Sequence, residues 1–157
     1  MHNQEPYSAN QWLKKIQLAN NLFSTGKIEQ SKGLYLAALS IAQQSFDQYK
    51  HADPLPAGLT PALVVSYLDL AELWAAKKNK ALQLECLLEI YEFLKRALND
   101  LAISDALRNQ LFTAYGKVFL ELQYCLRKLE QPELLGKIEQ DYGRHPVAYQ
   151  TYSSAVH

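Results

Sequence analysis

One break in the rhythm of the apolar residues constrains this chain more than any other feature. Trp12, Ile16, Ala19 and Phe23 fall at i, i+4, i+7 and i+11, a single stripe on one helix face that Leu18 and Leu22 widen. Thr25-Gly26-Lys27 interrupts the stripe, and Gly26 can take the left-handed conformation that stops a helix. From Ile28 the period resumes through Ser31, Tyr35, Ala38, Ala42, Ser45 and Tyr49. Two helices joined so tightly must run antiparallel, and small residues at Ala19, Ser31 and Ala38 let them approach closely. The pattern predicts a helical hairpin over about residues 10–49, its first helix capped by Ser8 or Asn10.

The rest of the chain repeats the theme. The stretch from His51 to Leu59 carries two prolines and a glycine and cannot continue a helix. Thr60-Pro61 reads as an N-cap followed by proline in the first helical position. A third helix then carries Val64, Tyr67, Leu68, Ala71, Trp74 and Ala75. Lys77-Lys78-Asn79 is the expected turn, with Asn79 as a left-handed cap. The fourth helix turns Ala81, Leu84, Leu87, Leu88, Tyr91, Leu94 and Leu98 inward. Ser104 caps a fifth helix with two apolar stripes, one through Leu107, Leu111, Ala114, Val118, Leu122, Cys125 and Leu129, the other through Phe112, Tyr115, Phe119 and Leu126. Two stripes predict neighbours on two sides and a central place in the fold. Pro132 opens a short sixth helix that Gly143 ends, and residues 144–157 lack helical period. The expectation is one all-α domain over residues 1–143, with hairpins at about 10–49, 61–98 and 105–142, followed by an irregular tail. Successive hairpins start 51 and 44 residues apart, similar units without a strict period.

Charge excludes some partners. Lys plus Arg and Asp plus Glu both number 16, so the chain has no electrostatic footprint for nucleic acid or anionic membrane. The polar N-terminus has no apolar core of a signal peptide, and no run approaches the roughly 18 apolar residues of a membrane span. A cytoplasmic location and neither nucleic-acid nor membrane partners are expected. Cys86 and Cys125 both fall within helical patterns and read as buried reduced thiols.

No motif names a reaction. His2, His51, His145 and His157 lie at termini or breaks, and neither Glu-x-x-His nor His-x-x-x-His occurs, so no metal, cofactor or catalytic residue is expected. Glu85, Glu89 and Glu92, with Asp69 and Glu72, read as solvated helix faces balanced by pairs such as Glu92 with Arg96. Lys77, Lys78 and Lys80 beside Trp74 read as a wet corner rather than a nucleic-acid patch. Of ten tyrosines, Tyr35, Tyr67, Tyr91 and Tyr115 fall on packing stripes. Tyr7, Tyr149 and Tyr152 lie outside the helical patterns and are free for contact with a partner, or with the chain's own groove.

Leu18, Ala19, Leu22, Gly26, Ser31, Tyr35 and Ala38-Leu39 stand where a tetratricopeptide repeat has its small, aromatic and turn residues. The first hairpin therefore resembles that family, and the second keeps Ala71, Ala75 and Leu88 in comparable places. The resemblance implies a right-handed stack of three antiparallel hairpins, five main helices and a short sixth. It also implies a non-catalytic adaptor or chaperone-like module that takes a partner peptide or helix on the inner face of its hairpins. By that likeness the first hairpin offers Leu13, Ile16, Asn20 and Phe23, and a partner lying along the first and third helices would also meet Tyr67 and Trp74. Ile16 stands where a carboxylate-clamping lysine would be, so terminal-carboxylate capture is not implied. The alternatives are a self-assembling homo-oligomer, a homodimer in the simplest case, or an enzyme built on Asp69, Glu72 and Glu89.

Overall fold

Six helices form the described part of the chain, residues 7–144 of a computed structural model: α1 (Tyr7–Ser24), α2 (Ile28–Tyr49), α3 (Leu59–Ala76), α4 (Lys80–Leu98), α5 (Asp105–Lys128) and α6 (Pro132–Arg144). No strand occurs among these residues, and the fold is all-α.

Three of the connections are one turn used three times. After α1, Gly26 is left-handed (φ 80°), its N–H donates to Phe23 O (3.1 Å), and the Lys27 N–H donates to Leu22 O (2.8 Å). After α3, Lys78 is left-handed (φ 57°), with Lys78 N to Ala75 O at 3.0 Å and Asn79 N to Trp74 O at 2.9 Å. After α5, Glu130 is left-handed (φ 56°), with Glu130 N to Arg127 O at 3.1 Å and Gln131 N to Leu126 O at 2.9 Å. Each pair of bonds satisfies carbonyls that a helix end would leave unpaired. The left-handed residues sit at 26, 78 and 130, an interval of 52 both times. The helices that follow begin at 28, 80 and 132, on the same interval. The interval holds in the turns and not in every start: α3 begins at 59, whereas α5 begins at 105 rather than 111, extended by a longer N-terminal end.

Several local expectations shift. Helix α1 already runs at Tyr7, so Ser8 and Asn10 lie inside it rather than capping it. Helix α3 begins at Leu59 with left-handed Gly58 (φ 76°) before it, which leaves Thr60 inside the helix and buried. Asn79 is not the left-handed residue; its side chain accepts from the Leu82 N–H (3.1 Å) and caps α4. Ser104 caps α5 in the same manner through the Leu107 N–H (3.1 Å). Gly143 does not end α6, which continues to Arg144. The tail from residue 145 onward lies outside the described residues.

Each helix packs on the next in sequence, and α1, α3 and α5 also touch one another in order. Helix α3, not α5, therefore has the most neighbours: it meets α1, α2, α4 and α5, because it opens the middle hairpin. It is also the helix among the described residues that is long and apolar enough to cross a membrane, with mean hydropathy 1.2 over 18 residues, half of them buried within this bundle. The core runs through all three hairpins; Leu63, Leu73, Ile90, Leu94, Leu107, Leu111, Leu122 and Leu126 are fully buried, each contributing about 1.5–3 kcal/mol of hydrophobic stabilisation. Ala81, expected inward, is exposed at the rim of a cleft instead.

Polar bonds set the relation between hairpins. Trp12 Nε1 of α1 donates to Ser66 Oγ of α3 (2.7 Å). Thr60 Oγ1 of α3 donates to Gln110 Oε1 of α5 (3.2 Å). Tyr115 Oη donates to Tyr91 Oη (3.0 Å), which donates to Asp141 Oδ2 (2.6 Å), where Lys95 Nζ also binds (3.0 Å). That chain ties α5, α4 and α6 together. Tyr142 of α6 stacks on Phe119 (centroids 3.9 Å, 7° between planes), its hydroxyl 3.3 Å from where a Cβ on Gly116 would stand. The small residue at 116 thus admits the end of α6 onto α5.

Candidate binding groove

The parallel helices α3 and α5 leave a groove between them. One half is a 440 Å³ cavity lined by Thr60, Pro61, Val64 and Val65 of α3 and by Asn109, Gln110, Thr113, Ala114 and Lys117 of α5. The other half, 470 Å³, continues along Leu68, Asp69, Glu72 and Ala75 to Glu121, Tyr124, Cys125 and Lys128. Val65 and Lys117 line both, so the two halves join at mid-helix. From Thr60 to Ala75 the groove follows roughly 22 Å of helix. Its first half is apolar with a rim of neutral amides and hydroxyls, and its second half carries charges of both signs.

Asp69 lies in that second half. Burial, aided by the charge of Glu72, pushes its carboxyl up to about 6. The same two carboxylates reach across to Tyr35, whose hydroxyl is pushed up to about 12 by burial first and by Asp69 and Glu72 next. Tyr124 stands at the groove mouth, 66% exposed, with Lys128 Nζ 5.9 Å from its ring centroid.

The residues singled out from the sequence do not form one surface. Ile16 (5% exposed) and Tyr67 (4%) are buried, because their helices turn them toward the neighbouring hairpin. Phe23 is half-buried, with its ring edge against Tyr35 (6.4 Å). Asn20 Oδ1 accepts from Tyr35 Oη (2.6 Å) and so braces α1 against α2. Trp74 is half-buried under Lys32 and Lys77 (5.8 and 5.4 Å to its ring). Leu13 is exposed (45%). The groove is lined by stripe residues of α3 and α5, among them Val64, Leu68, Ala114 and Cys125, together with residues lying off the stripes: Val65, Asn109, Thr113, Lys117 and Tyr124. Val65 beside Val64, and Tyr124 beside Cys125, are apolar or aromatic groups one step out of phase. A second apolar line on a helix is the signal that finds such a face.

A second cleft, 620 Å³, opens between α2 and α4 over Tyr67, whose hydroxyl accepts from Gln43 Nε2 (2.8 Å); Leu84, Leu88, Glu85 and Glu89 line its other side. Glu89 therefore sits apart from Asp69 and Glu72, and the three do not make one carboxylate cluster. Of the basic corner, Lys77 is spent internally. Lys77 and Lys32 both bind Glu29, with the Lys32 bond first in holding that carboxyl down to about 2. Cys86 and Cys125 are free and buried. Among the described residues no group of three or more His, Cys, Asp or Glu could hold a metal ion.

A family model described as "Protein of unknown function (DUF2753)" matches residues 10–142, from the first turns of α1 to the last turn of α6. The chain belongs to this family. No curated protein and no solved structure matches it. The match to the family spans all three hairpins and the whole α3–α5 groove.

Proposed function

We propose that this chain is a non-catalytic protein–protein interaction module, adaptor or chaperone-like and cytoplasmic. In this reading the hairpins form a right-handed tetratricopeptide-like stack whose inner face, lined by α1, α3 and α5, takes a partner peptide or helix. The 52-residue interval of the turns and the ordered contacts of α1, α3 and α5 support the stack. One observation carries the binding: the two cavities joined at Val65 and Lys117 give an open channel of peptide length, apolar with neutral hydrogen-bonding groups along its first half and bearing charges of both signs along its second. Apolar anchors would supply affinity there, and Asn109, Gln110 and Thr113 would set register. The contact set moves accordingly from the first hairpin and the Tyr67 and Trp74 positions of α3 to the facing sides of α3 and α5.

Selection of displayed peptides on the full chain, followed by fluorescence anisotropy, tests the reading. Selected peptides should lose at least tenfold in affinity with Val65→Asp, while far-UV circular dichroism is unchanged. Recovery of no peptide, or of peptides indifferent to Val65→Asp, overturns it. One observation favours self-assembly as the runner-up: Leu120 is 64% exposed on the outer hairpin. A mass that rises with concentration in light scattering, and falls with Leu120→Asp, would move the assignment to a homo-oligomer.

A further inference from the structure

The two walls of the α3–α5 groove carry matching rows of side chains. The 52-residue interval pairs Pro61 of α3 with Thr113 of α5, Val65 with Lys117, and Asp69 with Glu121. All six line the groove, and the joint between its halves falls on one of these pairs, Val65 and Lys117. On each wall the three residues stand at i, i+4 and i+8, so each set forms one row with steps of about 6 Å. Side chains on one face of an extended strand recur at about 6.7 Å. An extended peptide laid between the rows therefore meets the three levels with alternate residues.

The first two levels offer apolar side chains, Pro61, Val64 and Val65 from α3 and Ala114 from α5. The third is different. Asp69 and Glu121 line it from opposite walls, and Glu72 stands one turn on from Asp69. Lys117 and Lys128 share this half of the groove, yet none of the three carboxylates takes part in an ion pair or hydrogen bond among the described residues. Asp69 is partly buried, and burial first and Glu72 next hold its carboxyl above the usual range. A carboxylate that has lost water without gaining a partner favours a cation that a ligand brings. Tyr124, one turn past Glu121 and 66% exposed, offers its ring to the same cation.

We propose that the groove takes an extended segment of a partner protein with the pattern apolar-x-apolar-x-basic, its lysine or arginine seated between Asp69 and Glu121. This rests on the groove being the binding site and names the chemistry of what fills it. The apolar residues pack along Pro61, Val64 and Val65. The cation fixes which way the segment lies, because the lining at the Pro61 end is uncharged.

The test takes peptides selected on the full chain from a random displayed library, blocks both of their termini, and measures binding by fluorescence anisotropy. Peptides that lose affinity with Val65→Asp are expected to carry lysine or arginine two residues from an apolar one. Replacing that basic residue by glutamine leaves the protein untouched. It should weaken binding by about fivefold or more on the natural chain, and by less than about twofold on the Asp69→Asn, Glu121→Gln double variant. Groove-bound peptides without such a basic residue, or an equal loss on both chains, overturn the proposal and leave the groove standing. Peptides indifferent to Val65→Asp remove the groove and the proposal with it.

Discussion

Replacing Lys78 by glycine should make the protein more stable, although nothing in the folded structure gains a contact. Lys78 holds φ at 57° to complete the turn after α3, and Glu130 holds φ at 56° after α5. A left-handed residue with a Cβ costs about 1–2 kcal/mol. Glycine removes that cost but loses more backbone entropy on folding, about 0.5–1 kcal/mol. The balance is a gain of about 0.5–1 kcal/mol for Lys78→Gly, and similarly for Glu130→Gly. Neither side chain makes an ion pair or hydrogen bond among the described residues, so nothing offsets the gain. The turns share no bonds, so the double variant should add, to about 1–2 kcal/mol. Gly26→Ala, at φ 80°, should lose about 1 kcal/mol by the reverse argument. Urea titration followed by circular dichroism measures this: the midpoint should rise with an unchanged slope, and the thermal midpoint by about 2–4 °C per kcal/mol. A neutral or destabilising Lys78→Gly would refute the left-handed turn, and with it the 52-residue interval on which the three-hairpin reading rests.

Three further outcomes are expected. Tyr91→Phe removes a buried hydroxyl that donates to Asp141 and receives from Tyr115, and should cost about 1.5–3 kcal/mol in urea; a cost shared with Asp141→Asn in a double-mutant cycle would locate it in that bond. The Asp69 carboxyl is raised from 3.8 to about 6, so folding favours its protonated form: that stability is intact below about pH 4 and is lost as the pH rises through about 6. Asp69→Asn should therefore stabilise the fold by ~1 kcal/mol near pH 8, once solvent screening of this partly open site is allowed for, and by nothing near pH 4; equal gains at both would refute the burial argument. Burial, with Glu89 and Glu85 nearby, pushes the Cys86 thiol up to about 11, and burial also raises Cys125. Both should resist a thiol reagent near pH 8 and react only as urea unfolds the helices; fast labelling of the native protein would contradict their placement.

The helices were legible in the sequence because helical period is a local property. The stripes through Trp12 to Phe23 and Leu107 to Leu129, the Gly26 turn, the Ser104 cap and Pro132 at the start of α6 all follow from residues within a few positions of one another. The interval of the hairpins did not show, because it lies in their turns rather than their starts. α5 begins early, and the three left-handed positions hold glycine, lysine and glutamate, residue types with nothing in common. Backbone bonds to the preceding helix, from Lys78 N to Ala75 O and from Glu130 N to Arg127 O, close these turns whatever the side chain. The groove was hidden for a related reason. A stripe shows that a helix face is apolar but not which neighbour covers it, and so Ile16 and Tyr67, chosen for contact, are buried while Val65 and Tyr124 line open space. Exposure depends on the helix that arrives from a distant part of the chain. Ile16, Leu68 and Leu120 have the same apolar character in sequence and differ in burial because a further hairpin stands beside the first two and not the third.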